Sequence, residues 1–227
     1  MPITIKLLAH ASFLIKTDKE NIYIDPSTKN TGLKKDHFGP ADLILVSHQH
    51  DDHCDPKLVK HIRNMGFPPS TILAPSNCKD KLKKSGTVWD LDAGQFMQIN
   101  SDRLVISAVN AYNVTRFRKP GEPFHPKGFG VGFILKIDGV RIYYAGDTDL
   151  IPEMDHLGEI DVALLPSGDT YTMDMAEAAE AAIIINPTIA IPMHIKGGDT
   201  EIFRSAVESK SDTKVVVLGE GEEYTIE

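Results

Sequence analysis

The chain has 227 residues, with a formal net charge of −8 and a pI near 5.6. This length suits one domain with a substantial buried core, and we expect residues 1–227 to form a single domain. Because no run of Lys or Arg exceeds two residues, the composition argues against nucleic acid and anionic membranes as partners.

The start of the sequence lacks the pattern of a signal peptide, and no apolar stretch reaches the length of a membrane span. We therefore expect a cytoplasmic protein whose partner is a small molecule. In that compartment Cys54 and Cys78 should stay reduced. Cys54 directly follows a histidine, so it is either a small buried residue or part of the lining of a site. A homo-oligomer is compatible with this composition.

Short apolar runs separated by turn residues fill the first half of the chain and predict β-strands. Pro56 stands where a helix would begin, and Leu58, Val59 and Ile62 follow at helical spacing. The predicted strands are residues 3–8, 12–16, 21–25, 42–47, 71–74, 87–91, 96–99 and 104–109, and the predicted helices are residues 56–64 and 76–84.

Residues 111–128 are predicted to be a long irregular loop, and loops of this kind are often lids or binding loops. Asp138-Gly139 then favours a type I′ turn between strands 130–137 and 140–144. Strands and helices alternate afterwards. The strands are residues 161–165, 189–193 and 215–218, and the helices are residues 174–185 and 200–209. The repeated plan indicates two sheets covered by helices on their outer faces.

The richest cluster of potential metal ligands directly follows the apolar run of residues 43–46. Residues 48–53 read His-Gln-His-Asp-Asp-His. Side chains two residues apart leave a strand on the same face, so His48 and His50 can reach one ion, and the next turn brings Asp52 and His53 beside them. Imidazole nitrogen and carboxylate oxygen suit Zn²⁺, Mn²⁺, Fe or Ni²⁺. Because these ligands exceed what one open catalytic ion needs, the motif predicts two divalent ions, with zinc as the first expectation.

Further ligands are expected where other apolar strands end. Asp147 follows the predicted strand 140–144, and Gly146 before it allows close approach of the backbone. His194 directly follows the strand 189–193. Taken alone each is more often an ordinary loop residue, but the histidine cluster makes both of them candidates for the same metal centre.

These motifs resemble those of the metallo-β-lactamase superfamily, which carries His-x-His-x-Asp-His, a later Asp and a final His in this order. Residues 9–13, 24–26, 144–148 and 192–194 are similar to a branch of metal-dependent hydrolases related to L-ascorbate-6-phosphate lactonase. The resemblance implies a four-layer αββα sandwich with the metals at one sheet edge. It also implies an assignment of ligands: His48 and His50 for the first ion, Asp52, His53 and His194 for the second, and Asp147 as the bridge.

The chain departs from the superfamily pattern at the third histidine of the first ion. Asn110 lies in the corresponding region and is at best a weak neutral ligand, while His10, between two N-terminal strands, is a candidate substitute. Asp25, at a strand end, is interpreted either as the acceptor of an N–H from a ligating imidazole or as an ordinary Asp-Pro turn. Tyr112 is a further candidate for a contact with a metal ligand or with the substrate.

The loop 111–128 contributes candidates for the chemistry. His125 could contact the substrate or protonate the leaving group, although a solvated loop histidine is the alternative. The loop cations either bind an anionic substrate or are solvated; they are Arg116, Arg118, Lys119 and Lys127.

Divalent ions lower the pKa of bound water, and Asp52 could orient that water as well as bind metal. The leading prediction is therefore a metal-dependent hydrolase that acts on a lactone, a phosphodiester or a similar ester. The alternatives are a non-catalytic metal-binding protein of the same fold and a nuclease, which the acidic composition disfavours. A di-iron redox centre is disfavoured because His50 stands where that class has Glu.

Overall fold

The computed structural model describes residues 1–29, 31–99 and 103–227. The chain divides into two units, which are Met1–Asp92 with Leu218–Glu227, and Ala93–Val217. We call them unit 1 and unit 2. Each holds one seven-stranded sheet. The expectation of a single domain stays a prediction.

The strands and helices are numbered along the chain. The strands are β1 Ile3–Ala9, β2 Ser12–Lys16, β3 Asn21–Ile24, β4 Leu43–Leu45, β5 Thr71–Ala74, β6 Val88–Asp90, β7 Phe96–Gln98, β8 Leu104–Ala111, β9 Phe117–Lys119, β10 Glu122–Pro123, β11 Gly130–Ile137, β12 Val140–Tyr144, β13 Val162–Pro166, β14 Ile189–Met193, β15 Lys214–Val215 and β16 Glu223–Ile226. The α-helices are α1 Pro56–Arg63, α2 Lys79–Leu82, α3 Met175–Ile185 and α4 Thr200–Glu208.

The sheet of unit 1 has the strand order β16-β1-β2-β3-β4-β5-β6. Strands β1 to β3 are antiparallel neighbours, whereas β3, β4, β5 and β6 run parallel. The carboxyl ends of β3 and β4 therefore lie side by side, which brings Asp25 next to the residues that lead into His48. Helix α1 buries Leu58, Val59 and Ile62 in a core cluster beneath this sheet, and this accounts for its apolar spacing.

The sheet of unit 2 has the order β15-β14-β13-β12-β11-β8-β7. Its strands β12 to β15 are parallel, so the segments that follow β12 and β14 leave the same edge of the sheet. Asp147 follows β12 and His194 follows β14. Helix α3 packs its small residues, such as Ala178 and Ala182, against Leu165 of β13 in the core of this unit.

Most predicted elements agree with the structure to within a few residues. The hairpin of β11 and β12 has positive φ at both Asp138 (49°) and Gly139 (96°), as a type I′ turn requires. Two predictions need correction. The helix predicted over 76–84 is a 3₁₀ turn, Ser76–Cys78, followed by the four-residue α2. The loop 111–128 is not wholly irregular, because β9 and β10 pair in it across a turn with Gly121 at φ 78°.

In the described parts of the chain, each helix is too short or too polar to cross a lipid bilayer.

Candidate metal centre

Asp25 organises the histidine loop of unit 1 from a fully buried position. Its main-chain N–H donates to Leu45 O at 2.9 Å, which continues the pairing of β3 with β4 by one residue. The Asp25 carboxylate accepts the backbone N–H of Ser47 at 2.6 Å and the Ser47 hydroxyl at 2.5 Å. The chain is thus fixed at the residue just before His48.

The same carboxylate sets the tautomers of two histidines. His53 Nδ1 lies 2.7 Å from Asp25 Oδ2, so a proton on Nδ1 leaves the Nε2 lone pair for a metal. The Ser47 hydroxyl has given its hydrogen to Asp25 and can accept one from His48 Nδ1, 3.0 Å away. His48 then also presents Nε2 as its metal-binding atom. This contact of Asp25 is the one expected from the sequence.

Besides the group that Asp25 forms with His48 and His53, the donor atoms of unit 1 form two groups. In the first, His48 Nε2 and His50 Nδ1 lie 3.0 Å apart. In the second, donor atoms of His10, Asp52 and His53 lie within 4.8 Å of one another, and His10 Nε2 is 3.5 Å from Asp52 Oδ2. His10 therefore joins the group that the resemblance assigns to the second ion, whereas the sequence suggested it as a substitute in the first.

The turn between the histidines is anchored on both sides. The Ser27 hydroxyl donates to Asp51 O at 2.8 Å, and Lys81 Nζ lies 2.6 Å from Asp51 Oδ1. Asp55 ends the turn as the N-cap of α1. Burial alone would raise the Asp55 pKa, but hydrogen bonds from the Thr28 hydroxyl and the Leu58 backbone outweigh it and hold this pKa below its usual value. The loop is thus held by hydrogen bonds at Asp51 and at Asp55.

In unit 2, Asp147 lies between two histidines. Asp147 Oδ2 is 3.3 Å from His125 Nε2 and 3.5 Å from His194 Nε2, and all three side chains are buried. Gly146 makes the tight exit from β12 possible, since its φ is 68° and a Cβ there would lie 2.7 Å from Val131 O. This unit therefore presents its own cluster of one carboxylate and two imidazoles.

His125 is the site residue that the sequence placed least well, because the alternative of a solvated loop histidine is wrong. Its side chain is 2% exposed. Its Nδ1 lies 2.9 Å from Asn113 Oδ1, an oxygen that also accepts the His125 main-chain N–H at 2.8 Å. An amide oxygen can only accept, so Nδ1 carries the proton and Nε2 is left facing Asp147. The pairing of Asn113 with His125 across twelve residues gives no periodic signal in the sequence.

Arg116 also differs from the expectation of a substrate-binding cation. Its guanidinium is 13% exposed and pairs with Asp149, Asp169 and Glu177 inside unit 2. Burial would raise the pKa of Asp149, but the hydrogen bonds it accepts, first from the Thr115 backbone, hold this pKa below its usual value. Arg116 therefore stabilises the segment that carries Asn113 and His125 and is not available to a substrate.

Three other predicted residues meet at Glu153, which the sequence did not single out. The Glu153 carboxylate accepts hydrogen bonds from Asn110 Nδ2 at 3.2 Å, Tyr112 Oη at 3.0 Å and Lys127 Nζ at 2.7 Å. The hydrogen bond from Lys127 lowers the pKa of Glu153. Burial is the larger cause that raises the pKa of the Tyr112 phenol, and the hydrogen bond to Glu153 raises it further. Asn110 uses its amide here, and Lys127 also lies over the Tyr112 ring. A role in substrate contact stays a prediction.

Backbone strain coincides with the predicted site residues. In the described chain, six residues other than glycine have positive φ, and three of them are His10 (57°), Asp25 (48°) and His194 (55°). This conformation costs an L-residue roughly 1–2 kcal/mol and is retained mainly where the surrounding structure requires it. Each of the three directly follows a strand, at a turn whose backbone conformation sets the direction of the side chain.

Cys54 is a small core residue. It is buried and unbridged, and burial raises its pKa to about 12.

A family model described as the "Beta-lactamase superfamily domain" matches residues 4–194. The chain belongs to the metallo-β-lactamase superfamily. Within the superfamily it belongs to the UPF0173 metal-dependent hydrolase family. It is 34% identical to the member from Archaeoglobus fulgidus, with 96% of each chain covered. It is also 34% identical to the member from Thermococcus kodakarensis, over 99% of this chain and 100% of the relative.

Solved structures agree with this assignment. Igni18, a metallo hydrolase of Ignicoccus hospitalis, is 28% identical with a TM-score of 0.80, over 100% of this chain and 99% of that one. YhfI of Bacillus subtilis is 13% identical with a TM-score of 0.78 over 99% of each chain, and this likeness concerns the fold alone. The metallo-β-lactamase fold and the metal-dependent hydrolase family predicted from the sequence are confirmed.

The donor sets fit the divalent ions that this superfamily uses. Each unit presents imidazole nitrogens together with carboxylate oxygen, the mixture that suits zinc and its first-row neighbours. Buried Asp25 and Asn113 accept from Nδ1 of His53 and His125, respectively, and this leaves the lone pair of each imidazole on Nε2.

Proposed function

We propose that the chain is a hydrolase that binds two divalent metal ions, zinc first among them, and cleaves a small anionic lactone, phosphodiester or similar ester. Mn, Fe and Ni are the alternatives for the metal. The observation that carries this proposal is the Asp25 carboxylate, which directs the Nε2 atoms of both His48 and His53 away from itself. Histidines that bind a metal commonly donate their other N–H to a carboxylate, which fixes the orientation of the ring, and Asp25 supplies such a carboxylate.

The order of ligands in the superfamily supports the assignment of individual residues. We assign His48 and His50 to the first ion and Asp52, His53 and His194 to the second, with Asp147 as the bridge. The presence of two separate donor groups in unit 1 favours two ions over one.

His125 is the proposed third histidine of the first ion. It faces the same Asp147 oxygen as His194 does, and its Nε2 is the nitrogen left to bind. This assignment replaces Asn110, whose amide donates to Glu153, and it leaves His10 as a partner of Asp52. Binding metal in this way also replaces the earlier option that His125 protonates the leaving group.

When bound, the ions would lower the pKa of a water molecule toward neutrality and polarise the bond under attack. We assign to Asp52 the role of accepting a proton from that water. Its side chain is 28% exposed, so its carboxylate is reachable from solvent, while the 3.5 Å contact with His10 Nε2 fixes its orientation. Lys127 and Tyr112, held together by Glu153, are the proposed contacts for the negative part of the substrate.

The finer substrate class, a lactone of the kind cleaved by L-ascorbate-6-phosphate lactonase, rests on the sequence motifs at residues 9–13 and 144–148. A phosphodiester is the second substrate class, because its phosphate group is also negatively charged and could contact Lys127. Arg116 forms internal ion pairs and is 13% exposed, whereas Lys127 is 58% exposed, so we assign the contact with the negative group to Lys127.

Metal analysis combined with a substrate panel tests this function. The protein is purified without added metal, then supplied with zinc or manganese, and its metal content is measured by elemental analysis. The variants are His48→Ala, His125→Ala and Asp147→Asn, and His156→Ala is the matched control because His156 is exposed and lies only beside Asp155. Turnover is measured on short-chain lactones and on bis(4-nitrophenyl) phosphate.

We expect near two ions per chain in the wild type and in His156→Ala, fewer in the other three, and turnover that follows metal content. Full metal binding without turnover on any lactone or ester would support the alternative of a non-catalytic metal-binding protein. Failure of the folded wild type to take up metal would overturn the proposal.

A further inference from the structure

Unit 1 contains a cavity of about 410 Å³ that is lined by none of the proposed metal ligands. It is formed by the start of α1, the α2 region and the segment after β3, and its lining is dominated by lysines. The lining residues are Lys29, Asp55, Pro56, Lys57, Lys60, Lys81 and Lys84.

The charge of this cavity is only partly balanced by the described part of the protein, where Lys81 pairs with Asp51 and Asp55 belongs to the lining. Within residues 1–29, 31–99 and 103–227, Lys29, Lys57, Lys60 and Lys84 form no ion pair. The lining contains one carboxylate, that of Asp55, which accepts hydrogen bonds from the Thr28 hydroxyl and from two N–H groups of α1 and contributes one negative charge. Five lysines and one carboxylate therefore line one small volume in a chain whose net charge is −8.

Like charges held around one cavity repel one another, and this repulsion is relieved by an anion that several of them contact at once. A singly charged anion would relieve only a small part of this repulsion. A chain of phosphates offers several negative charges and many acceptor oxygens. Lysine binds phosphate as a flexible point charge and needs no fixed fork geometry. The volume lies in the range of small-molecule pockets.

We infer that this lysine-lined cavity is a binding site for an oligophosphate group of a small molecule, such as a nucleoside triphosphate or a short inorganic polyphosphate. It is separate in its residues from the metal ligands proposed above. Lys81 connects the two, since it lines the cavity and its ammonium group donates to Gln49 O and Asp51 in the histidine loop. An anion in the cavity would share Lys81 with that loop.

Calorimetric titration of the metal-loaded full chain with inorganic tripolyphosphate and with ATP tests this site. The variant Lys60→Ala/Lys84→Ala removes two cavity charges. The matched control, Lys19→Ala/Lys83→Ala, removes two exposed lysines of the same unit that do not line the cavity. Both variants keep every proposed metal ligand, so phosphate that binds at the metals contributes equally to the two.

We expect the cavity variant to weaken tripolyphosphate binding by about tenfold or more relative to the control, and salt raised from about 50 to about 200 mM to weaken wild-type binding strongly. Tighter binding of ATP than of inorganic tripolyphosphate would identify a nucleoside triphosphate as the ligand of the cavity. Equal affinities in the two double variants would overturn the inference.

Acetylation of lysines, read by mass spectrometry, provides an independent measurement without substitutions. Tripolyphosphate should protect Lys57, Lys60 and Lys84 from acetylation while Lys83 stays reactive. Uniform labelling with and without the anion would overturn the inference, as would protection that appears only with single-stranded RNA.

Discussion

Replacement of Asp25 by Asn tests the organisation of the metal centre most directly. The carboxylate accepts three hydrogen bonds, from Ser47 N, the Ser47 hydroxyl and His53 Nδ1. An Asn side chain is nearly the same size and tolerates the observed φ of 48°, so the backbone stays in place. The amide, however, offers one acceptor oxygen and one donor nitrogen in place of two acceptors.

The amide nitrogen must then face either Ser47 N or the pair formed by the Ser47 hydroxyl and His53 Nδ1. If it faces the pair, His53 has to carry its proton on Nε2, which removes the lone pair needed for metal. A loss of zinc affinity of about 10–100-fold follows, the range found when second-shell partners of metal ligands are removed. Hydrogen bonds to a charged acceptor contribute roughly 1.5–3 kcal/mol each, and Asn retains part of them, so we expect the metal-free protein to lose about 2–4 kcal/mol of stability.

The assay is a competition titration of zinc against a chromogenic chelator, together with urea unfolding of the metal-free protein. Asp138→Asn is the control, because Asp138 also has positive φ but pairs with Arg103 on the surface. It should change stability by less than about 1 kcal/mol and leave zinc affinity unchanged. Asp25→Ala should be the least stable variant, because it adds the strain of a positive φ. Equal zinc affinities for Asp25→Asn and Asp138→Asn would refute the role of Asp25 in orienting the histidines.

Four further outcomes are expected. Zinc at about 100 times its Kd should stabilise the protein by about 2.7 kcal/mol and raise Tm by several degrees in a thermal melt, whereas an unchanged Tm would contradict specific binding. Arg116→Ala should lose about 2–4 kcal/mol in urea unfolding, because it leaves the buried Asp149 carboxylate without its cation. That loss should shrink in acid, because the pKa of Asp149 is lower in the folded protein than in the unfolded chain. The stabilisation by ionised Asp149 is present above the unfolded pKa of about 4 and disappears as pH falls through the folded pKa. A loss independent of pH would argue that Arg116 acts by packing alone. Leu58→Ala should lose about 2–5 kcal/mol with unchanged metal stoichiometry, because Leu58 is fully buried in the core of unit 1, and a neutral result would mean that this core is not well packed. Gly146→Ala should lower both stability and metal content, as its Cβ would meet Val131 O at 2.7 Å, and full metal content would show that the exit from β12 can relax.

The sequence was most informative where the ligands are close together along the chain. His48 and His53 are five positions apart after one apolar strand, so the periodicity of a strand and the length of a turn were enough to predict that they belong together. Asp147 and His194 could be predicted because both end apolar strands, and parallel strands bring their carboxyl ends to one edge of a sheet. The type I′ hairpin at Asp138 was equally local.

His125 could not be assigned in the same way. It lies in a segment without apolar periodicity, and its burial depends on hydrogen bonds to Asn113, whose amide in turn donates to Asp149. The same network explains why the sequence allowed Arg116 to be interpreted as a loop cation that binds an anionic substrate. A charge in an irregular segment looks solvated until its partners, here from α3 and from the turn after β12, are known.

The sequence by itself determined the fold, the superfamily and the donor types, because these are written in short-range patterns of apolar residues and in one compact ligand motif. Only the tertiary structure decided which nitrogen each imidazole presents, that His10 lies with Asp52 and His53, and that His125 is buried beside Asp147. These features depend on hydrogen bonds between residues far apart in the chain. Such bonds form only after the strands have paired and the strained turns at their ends have aimed the side chains.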